Sequence, residues 1–321
     1  MKIKVFTLFS IVFILLGCRD YNSLQPTSIS SVTDFMKFTS SVDFKNQIDK
    51  LKTLSPEQLK KWNDSTVILS ILDMKNDNYS TGGRVSVDSS QLALYDEMLD
   101  PIFASILNKN GEFSVGDLFI RVTPDIVFMS TFDKIDKVRA LDPFAFLNIQ
   151  PNKTIIQDGI KIGRVYHERT SLAGGRTLFN GVDHTIYDWD DRHRSATVIY
   201  NDNWLIYKSI GCKVKFQNKR WWGGWWQDDT DALYMSYDVV YDISTLPTIV
   251  DLRHVSPPAR SCTNCGLIDN YIDGSTLSIG IGESGFTADL IDSPFDFKYF
   301  IANSQVTWRG NVHSDDLRED Q

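Results

Sequence analysis

The chain has 321 residues, 42% of them hydrophobic and 12% aromatic, which sets it among globular proteins and apart from disordered ones. Its formal charge of −8 excludes the basic surface that nucleic acid or anionic headgroups would select. Residues 18–321 suffice for one large domain or two ordinary ones.

The first residues, MKIKVFTLFSIVFILLGC, set Lys2 and Lys4 before an apolar run from Val5 to Leu16. That run is too short for a permanent spanning helix, so residues 1–17 read as a signal peptide. It closes on Leu15-Leu16-Gly17-Cys18, which resembles the bacterial lipobox. The resemblance implies that the Cys18 thiol is diacylated, with palmitate-type chains, and becomes the mature N-terminus. Two or three acyl chains anchor far more firmly than one, at roughly 0.8 kcal/mol per buried methylene. Arg19 stands where an aspartate would retain such proteins at the inner membrane, so the outer membrane is expected, facing periplasm or cell surface. Cleavage removes two lysines and takes the formal charge from −8 to −10. No other run has the length of a spanning helix, so membrane contact is expected through lipid alone.

Residues 18–41 are rich in Ser, Thr, Asn and Asp without a period and read as a tether. A first domain is expected over 42–155. In it Phe44, Ile48 and Leu51 recur at helical spacing. Ser55-Pro56-Glu57-Gln58 carries a capping hydroxyl, a proline at the first helical position and a glutamine that reaches back to the cap, predicting a helix over 56–74. A third helix is expected around Leu92–Ile106, with Pro101 starting a new segment or kinking it. The period then changes to two. A Gly116-Asp117 turn would set Val115 opposite Leu118 and Phe113 opposite Ile120, and Thr123-Pro124-Asp125 makes a second turn, giving a small antiparallel meander.

A second, β-rich domain is expected over 156–321, with strands on either side of an Asn201-Asp202-Asn203 turn and alternation at Phe295, Phe297, Tyr299 and Ile301, then Val306 and Trp308. The fold class is therefore α+β: N-terminal helices with a small antiparallel meander, followed by an antiparallel β-sandwich or partly closed barrel. In RWWGGWW, a Gly223-Gly224 turn would pair Trp222 with Trp225, Val214 with Leu233 and Cys212 with Met235 on an apolar face. Trp221 and Trp226 would then end a polar face with Lys213, Lys215 and Lys219, as candidates for partner contact.

Three constellations invite chemistry. Cys262 and Cys265, in CTNC, match a redox spacing, but their flanks SPPARS and GLIDNY read as loop; a structural disulfide, local or to Cys212, is the stronger reading. GIGESG at 280–285 matches the dinucleotide fingerprint by letter without the βαβ unit it needs, so a glycine-rich turn is expected and no nucleotide. DHTIYDWDDRHR gathers His184, Asp188, Asp190 and Asp191, which would suit a hard cation or a glycosidic bond if they converged. Arg192 and Arg194 make a charge-balanced acidic loop the simpler account. No metal and no cofactor is expected.

The lipobox, LNKNGEFSVGDLFIRVTPD and YKSIGCKVKFQNKRWWGGWW together resemble uncharacterised lipoproteins of Bacteroidota, with an N-terminal helical part and a β-rich C-terminal domain. The resemblance implies no assigned activity. The function expected is that of a non-enzymatic outer-membrane module binding a glycan, peptide or protein; the alternative is a hydrolase, glycosidase or peptidase, working through the acidic cluster. Changing Cys18 to Ser should release the protein from the membrane fraction. Mass spectrometry finding Cys18 unmodified, or a mature N-terminus elsewhere, would refute the anchor.

Overall fold

The computed structural model describes residues 34–74, 94, 98–151, 153–169, 185–219, 225–242, 252–256, 259–265, 270–273 and 296–320. Helix α1 (Ser41–Lys52) buries Phe44, Ile48 and Leu51, the expected stripe, under an Ser40 cap that accepts the Asp43 N–H. Helix α2 (Pro56–Asp64) carries the full capping box between Ser55 and Gln58. It stops ten residues before the expected end. The Ser65 and Thr66 hydroxyls donate to the Trp62 and Asn63 carbonyls, closing the last turn where an unbroken helix would continue. Helix α3 (Pro101–Ile106) starts at the proline, and Asp100 caps it by accepting the Ile102 and Phe103 N–H groups.

The first sheet has the order β1-β2-β3-β4-β6-β5, formed by β1 (Met36–Phe38), β2 (Glu112–Val115), β3 (Leu118–Val122), β4 (Ile126–Thr131), β5 (Thr154–Gln157) and β6 (Ile160–Arg164). Its meander has the expected register, Val115 opposite Leu118 and Phe113 opposite Ile120. Strand β1 adds itself parallel to β2. One face packs on α1–α3. The other covers Phe128, Phe146 and Ile162 with α4 (Ile135–Arg139) and the turn at Pro143–Phe146. The hairpin β5–β6 belongs to this sheet, so the sheet runs on past the boundary expected at 155 to Arg164.

The rest of the described chain is strand. One sheet joins β7 (Tyr166–Arg169) and β8 (Thr185–Asp188) to β9 (His193–Asn203), β9 to β10 (Lys208–Lys219), and β10 to β11 (Trp225–Gln227) and β15 (Asn270–Asp273). The other joins β13 (Leu252–Val255) and β14 (Arg260–Cys265) to β12 (Thr230–Asp242), then β16 (Asp296–Trp308) and β17 (Asn311–Asp320). All these pairings are antiparallel, and among the described residues no sheet closes into a barrel. Ile210, Cys212, Val214 and Phe216 of β10 share one apolar cluster with Leu233, Met235, Tyr237, Phe300 and Val306 of β12 and β16. The Thr197 and Ser304 hydroxyls bond across the gap at 2.6 Å. The even positions of β16 point inward, so Tyr299 and Ile301, expected on the apolar face, lie on the opposite one.

One hairpin couples the two halves. The turn between β9 and β10 is Trp204-Leu205-Ile206-Tyr207, not Asn201-Asp202-Asn203, which are buried strand residues. All four tip side chains are fully buried in the cluster that holds Phe44, Phe103 and Phe113. Tyr207 stacks on Phe103 at 4.6 Å and donates its hydroxyl to Asp100 at 2.5 Å. His167 bridges Asp202 and the Pro124 carbonyl, at 2.8 and 2.7 Å. Leu205 adopts φ +68, a conformation that costs a non-glycine residue about 1–3 kcal/mol. Gly163 makes room for it, since a Cβ there would stand 2.3 Å from Leu205 Cδ1. Trp204→Ala should lower stability by about 3–5 kcal/mol, measured by denaturant unfolding. Because the indole fills the first sheet's core, both halves should melt together and earlier; a half that keeps its wild-type midpoint would show that the tip is not part of its core.

Candidate functional site

At the far end of β9 and β10, opposite the buried tip, the cluster shared by the two antiparallel sheets is closed by rings rather than aliphatic side chains. The β8–β9 turn is built by Asp190, whose Oδ1 accepts the Arg192 N–H at 2.8 Å, the His193 N–H at 2.7 Å and His193 Nδ1 at 2.9 Å. The Arg192 N–H does most to hold the Asp190 carboxyl below its ordinary value; partial burial opposes it, and His193 adds to it. His193 Nε2 faces Asp228 at 3.4 Å, so the ring has a carboxylate on each side. That ring packs against both Phe216, at 5.9 Å, and Trp308, at 4.5 Å, which touch each other at 5.4 Å.

Trp189 stands at the centre, edge-on to Tyr187, Phe216, Trp308 and His313, and donates Nε1–H to Ser195 at 3.2 Å. Tyr187 stacks on His313 at 3.7 Å, and His313 reaches Asp315 at 2.8 Å. Tyr187 remains 40% exposed, the most open ring of this set. Arg309 covers Trp308, its guanidinium 4.3 Å from the ring centroid. The arrangement offers a rigid aromatic ledge ringed by hydrogen-bond acceptors and one cation, the chemistry that stacks on and hydrogen-bonds a small polar ligand.

The sequence-derived candidates fall unevenly around this end. Of the acidic cluster, Asp190 is the turn's clamp, Asp188 lies opposite Arg194, and Asp191 is exposed. Burial pulls the Arg194 guanidinium down, and Asp188 opposes that shift. His184, Trp221 and Cys18 lie outside the described residues, as does GIGESG. Among the described residues no group of three or more His, Cys, Asp or Glu is placed to hold a metal, and no helix is long and apolar enough to cross a membrane.

The tryptophan hairpin corrects its expected register. Trp225 pairs with Lys219 and Trp226 with Asn218, and Asp228 N–H continues to the Phe216 carbonyl. This is not the register that a Gly223-Gly224 turn would give, and Gly223, Gly224 and Trp222 themselves lie outside the described residues. Val214 and Leu233, expected as a cross-strand pair, instead face each other between the two sheets. The register also sets His193, Asn218 and Trp226 in one row, which brings the hairpin to the aromatic end.

Cys262 and Cys265 lie on β14, opposite Leu233 and Thr230, where loop was expected. Cα atoms three residues apart in a strand stand about 10 Å apart, beyond the roughly 7 Å a disulfide spans, which bears against a local bridge. Cys212 is a buried free thiol, pushed up by that burial. Tyr187, His313, Trp308 and Arg309 carried no motif. They meet only because β17 runs beside β16 and under β8.

No family model matches the chain, and no curated protein matches it. Among solved structures it is similar to a DUF4848 family protein of Bacteroides thetaiotaomicron, at 9% identity and a TM-score of 0.25 over 91% of this chain and 99% of that one. A likeness of that size carries no inference.

Asp190 provides a direct check on the turn. Its folded carboxyl sits below the ordinary value of about 3.9, so its contribution is fully present above that pH and is lost as pH falls through the folded value. An NMR titration should find its midpoint below that of a free aspartate. A midpoint at or above it would refute the clamp.

Proposed function

We propose that this chain is a lipid-anchored protein of the outer membrane, related to the Bacteroidota lipoproteins its sequence resembles, whose sandwich end binds a glycan without turning it over. The observation that carries the binding half is the ledge of Tyr187, Trp189 and Trp308, held by His193, His313 and their carboxylates. Rings of this kind cover the apolar face of a sugar, and side-chain acceptors take its hydroxyls. The anchoring half rests on Leu15-Leu16-Gly17-Cys18.

A hydrolase would need a carboxylate or imidazole free to move a proton. Asp190 accepts three hydrogen bonds from its own turn, and His193 is held between two carboxylates, which favours a fixed surface over an acid–base pair. On a glycan array, Tyr187→Ala should abolish capture. Losing the Tyr187 stack should cost no more than about 1.5 kcal/mol of stability. Wild-type capture by the folded variant would overturn the reading.

A further inference from the structure

The β16–β17 hairpin pairs Trp308 with Asn311, leaving Arg309-Gly310 as a two-residue turn with φ +51 and +74. Such a turn favours Asn, Asp or Gly at its first position. Turn formation therefore does not account for an arginine there. The exposed guanidinium lies on Trp308, which is itself braced by His193 and Phe216, so the cation is held in one orientation. Asp231 accepts the backbone N–H of Gly310 at 2.9 Å and not the guanidinium, and among the described residues Arg309 makes no ion pair.

We infer that Arg309 selects a carboxylate-bearing saccharide at this end of the sandwich, an inference that rests on the glycan reading above. A planar guanidinium presents paired N–H donors that match a carboxylate in two parallel bonds. The carboxylates beside it already have partners, since Asp190 and Asp228 both face His193 and Asp231 holds the turn. More distant negative charge is screened beyond about 8 Å at physiological salt. Tyr187, Trp189, Trp308 and Arg309 follow one another at 5.1, 5.9 and 4.3 Å. A ring on Tyr187 and a carboxylate on Arg309 therefore belong to different sugars of one oligosaccharide.

The test is calorimetric titration with hexagalacturonate and with its carboxyl-reduced, neutral counterpart, on wild type and on Arg309→Asn, a residue this turn accepts. Wild type should bind the acidic oligomer more tightly by roughly tenfold, the scale of one charge-assisted hydrogen-bond pair. Arg309→Asn should erase that preference by weakening the acidic oligomer about tenfold more than the neutral one, and Arg309→Lys should restore part of it. Equal wild-type affinities, or equal losses for both oligomers in Arg309→Asn, would overturn the role of Arg309 and leave glycan binding intact. If neither oligomer binds and the array is also blank, both readings fall.

Discussion

The hydrogen bond from Tyr207 to Asp100 is the constraint on which the rest of the molecule hangs. Both groups are fully buried, and a buried carboxylate without partners would cost several kcal/mol. Asp100 escapes that cost by serving two elements at once. One oxygen caps α3 and the other receives the tip of a hairpin that is distant in sequence. The tip can enter only because Gly163 has no side chain and because Leu205 accepts a left-handed backbone. Local strain is thus offset by burying four large side chains, a few kcal/mol against a larger transfer term.

The same two strands set the position of the candidate site. Strand β9 has eleven residues and β10 has twelve, so each spans roughly 35–40 Å at the usual strand rise. One end of this ribbon is the buried tip, and the other carries His193, Phe216 and the start of the tryptophan hairpin. The ledge is therefore fixed to the first sheet's core through a continuous ladder of hydrogen bonds. Strand β9 also explains the buried polar residues in its run. Asp202 meets His167, and Thr197 meets Ser304 of the facing sheet, so each tie fixes a neighbouring element in register.

Much of the fold was legible where the determining interactions are local. The capping box at Ser55, the stripe on α1 and the turn at Gly116-Asp117 depend on residues within a few positions of one another, and each formed as expected. The turn at Trp204–Tyr207 was not legible. Local rules favour polar residues at a hairpin tip, and here the tip is a core residue of a distant sheet, so burial reverses the preference. The tryptophan register failed for a related reason. Parity predicts pairing only once the register is known, and Trp226 pairs with Asn218 instead of the partner a two-residue turn would give it. The candidate site was half visible: Asp190 stood out within DHTIYDWDDRHR, the stretch that also holds Tyr187 and Trp189, but His313 and Arg309 have no sequence signature.

What separates this end of the two antiparallel sheets from an ordinary core edge is the way its charges are paired. A core edge of this size would be closed most simply by aliphatic side chains, which need no partners. Here two histidines, three carboxylates and an arginine are set among the rings, and nearly every one is held by a named neighbour. Such pairing brings little stability at a half-exposed rim, about 0–1 kcal/mol per pair. It does fix orientation. Tyr187 stacks on His313, and Trp308 packs on both His193 and Arg309, so these rings are held by neighbours before a ligand meets them. Preorganisation of that kind improves affinity by removing the ordering cost that binding would otherwise carry. The polar groups at the rim are therefore better understood as supports for the aromatic surface than as reagents, and Arg309, stacked but without an ionic partner among the described residues, is the group left to choose what the surface holds.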